Sequence, residues 1–225
     1  MTQANRWLAA TWPAVREALP APPGRVIELG CGTLGGHVPA MRAAGYDAIG
    51  VDPEAPVGEE YRRVEFERLD EPPGTLSAVV ASTSLHHVAD PAQVLDGVSR
   101  LLAPGGRVIV LEWDWEAFDG PTAEWAFSRL DPRDDANWLR AHRDGWGASG
   151  LPWSGYLRGW ADGHGIHAAR ELLRLLEERF RLEGPPVYGP YLFADLGTTS
   201  EKDERAAIAA GQINATRIEV VGHRT

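Results

Sequence analysis

The chain is short of the residues that define several broad classes of protein. It has one cysteine, Cys31, in 225 residues. No internal disulfide can form, and a lone thiol fits a reducing compartment, so the expected location is the cytoplasm. One thiol also rules out a cysteine-rich zinc site, and the seven histidines contain no His-Glu-x-x-His pair, so no metal is expected. Lys202 is the single lysine. Basic residues number 22 against 32 acidic ones, a net charge of −10. Nucleic acid and anionic membrane both select basic surfaces, so neither is expected as a partner. The acidity reads as a solubility feature. No stretch approaches the ~20 consecutive apolar residues that cross a bilayer. The opening MTQANRWLAATWPAV has no long apolar run and no cleavage site, so no signal peptide is expected. Internal repeats and low-complexity segments are lacking too.

The residues that are present describe alternating elements. Apolar residues make up 44% of the chain, enough for a core without staples. Residues 4–19 have amphipathic helical spacing, ended by Pro20, Pro22, Pro23 and Gly24. RVIELG (25–30) is a short apolar strand entering a glycine-rich turn, and HVPAMRAAG (37–45) is the helix behind it. YDAIGVD (46–52) is a second strand closed by an acid, RRVEFERL (62–69) a short third, and TLSAVVAS (75–82) a fourth apolar enough to be buried on both faces. DPAQVLDGVSRLLAPGG (90–106) is a helix with Asp90 as cap, Pro91 at its first position and Pro104-Gly105-Gly106 as its stop. RVIVLEW (107–113) is the fifth strand. This rhythm predicts a parallel sheet with right-handed crossovers. Residues 113–165 then turn rich in Trp, Gly, Asp and Arg and show no strand, so a loop-rich insertion is expected there. A helix over 166–180 follows, then a strand pair formed by the proline-broken RLEGPPVYGPYLF and by INATRIEVVGHR, with a helix between them from Ser200 to Gly211.

The strongest chemical signal is Glu28-Leu29-Gly30-Cys31-Gly32-Thr33-Leu34-Gly35-Gly36, between a strand and a helix. Glycine lets the backbone turn sharply and lets a ligand lie against it, and the helix start offers free N–H groups to a carboxylate. Asp52 lies 20 residues after Gly32, at the end of the second strand, where a carboxylate accepts from both hydroxyls of a ribose. Gly30-x-Gly32-x-x-Gly35 also matches the dinucleotide fingerprint, so a nicotinamide-linked oxidoreductase is an alternative. Against it, Glu28 sits two residues before the first glycine and would repel a pyrophosphate, whereas it suits an ammonium. No Tyr-x-x-x-Lys pair follows.

The segments VIELGCG (26–32), GVD (50–52), AVVASTSLHHVADP (78–91) and LLAPGGRVIVLE (101–112) together resemble the class I S-adenosylmethionine-dependent methyltransferases, in particular their small-molecule branch. The resemblance implies a Rossmann-like α/β fold. Its sheet has seven strands, mostly parallel, with helices on both faces and the last strand antiparallel. A single domain over 1–225 is expected, with residues 113–165 as a cap or substrate insertion. It implies S-adenosylmethionine as cofactor. Glu28 orients the methionine ammonium through water. Gly30, Cys31 and Gly32 supply backbone against methionine and ribose, and Asp52 holds the ribose hydroxyls. Glu67, with Glu65 as the next choice, meets the adenine amino group, and Ser82 faces the cofactor through its backbone. The family usually has glycine where this chain has Leu34. The same resemblance disfavours exocyclic amines of bases as acceptors, because Ser82-Thr83-Ser84-Leu85 stands where an Asn/Asp-Pro-Pro-aromatic motif would be.

Methyl transfer from a sulfonium is an in-line displacement, so the expected protein contribution is positioning, with a general base if the acceptor carries a proton. His87, and next to it His86, follow the fourth strand at the edge where ligands gather, and are the candidates for that base. A histidine there also packs or hydrogen-bonds without reacting, and both readings stay open. Seven of the nine tryptophans fall within 113–160. They either wall an apolar substrate pocket or pack the insertion itself. Asp114, His142, Arg143, His164 and His167 are polar groups in or beside this segment without a legible pattern, and Tyr191 is a candidate to close the pocket. The expected activity is methylation of a small molecule. The alternative of another class is a non-catalytic binding protein that keeps the fold.

Overall fold

The computed structural model describes residues 3–134 and 136–224. Strand β1 (Arg25–Leu29) is central. The chain steps outward to β2 (Asp47–Val51) and β3 (Tyr61–Arg62), then returns to the other side of β1 for β4 (Leu76–Ser82) and β5 (Leu102–Trp113). These five strands are parallel. Strand β8 (Arg217–Arg224) runs antiparallel along β5 and is flanked by β6 (Phe180–Leu182) and β7 (Val187–Gly189), giving eight strands in the order β3-β2-β1-β4-β5-β8-β6, with β7 also on β8. The expected count was seven; Pro185-Pro186 divides the penultimate strand in two, because proline has no N–H to give the ladder.

Continuous apolar strands are buried on both faces, and the two faces use alternate residues. Ile27, Val79, Ala81, Val108 and Val110 pack beneath α3 (Pro91–Leu101) and α7 (Ala169–Arg179). Val26, Ala78, Val80, Ile109 and Leu111 pack beneath α1 (Gln3–Ala18) and α2 (Val38–Ala43). Helix α3 begins as its sequence indicates: the Asp90 carboxylate accepts from the Gln93 N–H at 3.0 Å, and Pro91 follows. Its side chains Val94, Leu95, Val98 and Leu101 are fully buried, each contributing about 1.5–3 kcal/mol relative to exposure.

Three segments depart from the sequence expectation. The third strand is only Tyr61–Arg62, and Phe66–Arg68 forms a 3-10 turn instead of continuing it. That turn brings Phe66 and Leu69, three residues apart, onto the main core, which an extended strand could not do. Helix α3 stops at Leu101, and β5 starts at Leu102, which pairs with Leu76 before the register shifts. Gly105 takes a φ of +73° inside this irregular start. Third, the segment after β5 is helical rather than loop-rich. It forms α4 (Gly120–Phe127), α5 (Trp138–Ser149) and α6 (Trp153–His164), which share a cluster built on Trp113, Trp115, Phe118, Leu139, Trp153 and Leu157. Helix α8 (Glu201–Ala209) has the capping box that Ser200 and Asp203 allow. No helix among the described residues is long and apolar enough to cross a membrane.

Candidate active site

The chain reverses its direction of travel across the sheet between β1 and β4, and the carboxyl ends of parallel strands open into a crevice at such a point. A cavity of about 830 Å³ lies there, walled by the glycine loop, Asp52, the Glu65–Arg68 turn and the Ser82–Ser84 segment. Glu28, Gly30, Cys31, Gly32, Asp52, Glu67 and Ser82 all line it, as does Glu65.

Short local contacts shape the loop. The Gly30 N–H donates to Val51 O at 2.8 Å, and the Gly32 N–H donates to Asp52 Oδ2 at 3.0 Å, so Asp52 braces the turn as well as facing the cavity. Its other oxygen accepts from the Glu54 N–H at 2.7 Å. Gly32 has φ +61°, and a Cβ there would meet nothing within 4 Å, leaving its surface bare toward a ligand. Gly36 is different: at φ +57°, a Cβ would stand 2.4 Å from the Glu28 carboxylate. Leu34, the residue that departs from the family pattern, is 57% exposed and lines the same cavity.

Glu28 has a second function that the sequence did not reveal. It is 1% exposed; Oε2 accepts from the His37 N–H at 2.6 Å, and Oε1 lies 3.0 Å from His37 Nδ1. The helix-start amide expected to meet a ligand carboxylate is therefore taken by Glu28. His37 Nε2 lies 3.0 Å from Thr11 Oγ1, whose hydroxyl donates to Trp7 O at 2.8 Å. Trp7 in turn donates from Nε1 to Ser82 Oγ at 3.1 Å and lines the cavity. Helix α1 is thus tied to the loop and to the end of β4, and its Trp7 and Leu8 line the cavity. Cys31 is inert here: burial, followed by the charges of Glu28 and Asp52, pushes its thiol up to about 12.

The turn after β4 is organised by Glu112, a site residue that no local sequence pattern marks. Glu112 is fully buried near the end of β5. Its Oε1 accepts from the Ser84 and Leu85 N–H groups at 2.8 and 2.6 Å, and Oε2 accepts from the Trp113 N–H at 3.3 Å and pairs with His86 Nδ1. Thr83, at φ +54°, turns the chain back so that these groups converge. His86 and His87 have ring centroids 4.0 Å apart. His87 is an exposed residue that lines both cavities, and desolvation, then the neighbouring His86, pulls its imidazole down to about 4.

A second cavity of about 390 Å³ adjoins the first and shares His87 with it. Its walls are His86, His142, Trp113, Trp138, Trp160, Tyr156 and Tyr191, with Ala141. The tryptophans of the insertion therefore divide: Trp113, Trp138 and Trp160 face this cavity, while Trp115, Trp125, Trp146 and Trp153 belong to the helical cluster alone. Tyr191 stacks on Trp113 at 6.0 Å and 17°, and the backbone at Tyr191, Leu192 and Phe193 is fixed by three N–H donations to the buried Glu204 carboxylate. Burial and His164 lower the His142 imidazole to about 4. The other polar groups of the segment point elsewhere. Arg143 pairs with Asp144, His164 stacks on Trp160, and His167 Nε2 contacts Val88 O at 2.9 Å.

A family model described as a methyltransferase domain matches residues 4–179 of this chain. A ubiquinone biosynthesis O-methyltransferase from Pseudomonas aeruginosa is 35% identical over 101 residues, which are 38% of this chain and 43% of that protein. The match thus spans less than half the length of that relative. Among solved structures, an S-adenosylmethionine-dependent methyltransferase from Mesorhizobium loti has a TM-score of 0.57 at 19% identity, covering 96% of this chain and 98% of that one. Geranyl diphosphate C-methyltransferase from Streptomyces coelicolor, solved with Mg2+, geranyl diphosphate and S-adenosyl-L-homocysteine, has a TM-score of 0.58 at 18% identity, covering 96% of this chain and 80% of that one. Likeness at this identity establishes the fold.

Proposed function

The chain belongs to the methyltransferase-domain family, and on that premise we propose that it transfers a methyl group from S-adenosylmethionine to a small-molecule acceptor. The observation that carries the reading is the meeting of two cavities at His87, one edged by glycine loop and carboxylates, the other aromatic.

The residues of the larger cavity fit the cofactor. Its volume takes an adenosyl amino acid, the bare Gly32 surface gives close backbone approach, and Glu28, Asp52, Glu65 and Glu67 make an acidic wall for a cationic ligand. Asp52 holds the ribose hydroxyls, Gly30, Cys31 and Gly32 present backbone, Glu67 or Glu65 meets the adenine, and Ser82 forms the inner wall. Glu28 acts on the ammonium through charge, because both of its oxygens already bond His37. When bound, S-adenosylmethionine supplies an electrophilic methyl on a sulfonium. The chain's own work is to orient the acceptor and exclude water. Helices α4, α5 and α6 of the 113–165 insertion form the cap that does so, as part of a single domain with the sheet. His86 and His87 stand where the acceptor's proton is released. The curated relative is named as an O-methyltransferase, which supports an oxygen acceptor. The lone buried Cys31 suits a cytoplasmic setting.

The test is transfer of labelled methyl groups from S-adenosylmethionine to a panel of phenols, amines and thiols. Label appearing in an acceptor supports the reading. Measurable cofactor binding with no transfer across the panel favours the non-catalytic alternative instead.

A further inference from the structure

We propose that the aromatic cavity receives an uncharged, flat hydroxyarene and that His86, held by Glu112, accepts its hydroxyl proton. The inference rests on the methyltransferase reading and gives that site an acceptor class and a proton acceptor.

Charge excludes most alternatives. No lysine, arginine, aspartate or glutamate lines this cavity. A phosphate or carboxylate would be desolvated there without a partner, at a cost that neutral walls cannot offset. The geranyl diphosphate enzyme takes a different kind of acceptor. Aromatic faces do attract cations, but the acids behind these walls are already engaged. Glu112 accepts from three backbone N–H groups and His86, and the Asp195 carboxylate is hydrogen-bonded by the Trp138 side chain. A cationic acceptor would also face the positive methyl donor next door, and a protonated amine lacks the lone pair that attacks.

Shape then selects a ring. Trp138 and Trp160 meet Trp113 edge-on at 71° and 64°, while Tyr191 lies nearly parallel to it. A flat ring can satisfy such faces and edges together. The volume of about 390 Å³ is near the lower end of ligand pockets, which suits one or two rings rather than a long chain. Trp113 Nε1 and His142 Nδ1 are buried without hydrogen-bond partners, and polar substituents on the ring would meet them.

His86 is the better proton acceptor of the adjacent pair. Its Nδ1 is fixed by Glu112, and no group among the described residues bonds its Nε2, while the ring lines the cavity. This is the base-plus-orienting-carboxylate arrangement that activates a hydroxyl. His87 stays neutral at the junction, which suits a wall facing a cationic donor. The titratable groups facing His86 are Glu112 on β5, His87 on its own turn, and His142, Tyr156 and Tyr191 across the cavity. In the step, the hydroxyl proton passes to His86 Nε2 and an oxygen pair bonds the methyl carbon. The carbon–sulfur bond breaks with its pair on sulfur. The positive charge moves from sulfur to the imidazolium, opposite the Glu112 carboxylate, and the proton then leaves to solvent.

The experiment titrates 7-hydroxycoumarin into the protein saturated with S-adenosylhomocysteine. Tryptophan quenching reads binding, and the phenolate absorption band reads proton loss. The 7-phosphate ester and an aminomethyl analogue that stays cationic serve as charge controls. The hydroxycoumarin is expected to bind at least about tenfold more tightly than either control. Its phenolate band should appear at lower pH than in free solution. His86→Gln should leave binding within about threefold and abolish that early band. Glu112→Gln should move the band's midpoint to higher pH while binding stays within about threefold, whereas a loosened fold would lose affinity as well; should that variant not fold, His86→Gln alone decides. Tighter binding of a charged control, or of none of the three, overturns the acceptor class. An unchanged band in His86→Gln overturns the base. Neither result touches the cofactor assignment, which fails only if S-adenosylhomocysteine itself does not bind.

Discussion

Asp52 braces Gly32 through one oxygen and faces the larger cavity, so under the proposed cofactor placement its removal loses a ribose acceptor and loosens the loop together. Asp52→Ala should weaken S-adenosylhomocysteine binding by ~1–3 kcal/mol in calorimetry, and unchanged affinity would remove Asp52 from the site. Cys31 gives a second expectation. With its thiol pushed up to about 12, almost no thiolate exists at pH 8, so alkylation should be slow in the native protein and fast in guanidinium. Rapid native labelling would contradict the buried setting. The glycines and Asp52 were legible in the sequence because neighbouring parallel strands bring their carboxyl ends together, and β1 pairs with β2 in register from Arg25↔Asp47 to Leu29↔Val51. Glu112 was not, because its partner His86 lies 26 residues away across two strands and no local spacing marks the pair. Trp7 and His37 were equally hidden, since the chain of contacts joining them exists only after α1 folds over the sheet.

Among elements, the glycine loop is the most sensitive to change. Gly36→Ala adds a Cβ against the Glu28 carboxylate at a φ that alanine adopts poorly, and should cost about 1–3 kcal/mol in thermal unfolding. Leu34→Gly, at an exposed position, should change stability by less than about 1 kcal/mol. An equal loss from both would mean that the loop lacks the described geometry. The insertion shows why sequence patterns fail for some elements. Helix α5 contains Gly145 and Gly147, and α6 contains Gly155, Gly159 and Gly163, residues that lower helix propensity by about 1 kcal/mol each. Packing overrides them: Trp138, His142 and Trp146 recur every four residues, Trp153, Leu157 and Trp160 every three to four, and the two stripes meet in one cluster. A Cβ at Gly145 would stand 2.6 Å from the Tyr156 hydroxyl, so that glycine permits the close approach of the two helices. The third strand failed for the opposite reason, as its alternating residues serve a turn rather than an edge.

At the scale of the molecule, α1, the insertion and the Tyr191–Asp195 segment close over one end of the sheet, and they contain buried groups that tie stability to pH. Burial raises the Asp195 carboxyl to about 6, so the folded state keeps a proton that the unfolded chain releases near 3.8. Stability from this group is therefore greatest below about pH 4 and falls as pH rises toward 6, by up to about 3 kcal/mol. Asp195→Asn should stabilise the protein at pH 8 and change little at pH 4, as read by denaturant unfolding. A stabilisation independent of pH would refute the linkage. The central claim concerns the whole crevice: the β1 loop, Asp52 and the turn after β4 form one receptor for an adenosyl amino acid. Isothermal calorimetry with S-adenosylhomocysteine and with NAD tests it most directly. The account predicts one-to-one binding of S-adenosylhomocysteine, weakened in Asp52→Ala, and no heat from NAD. Binding of NAD with no response to S-adenosylhomocysteine would contradict it.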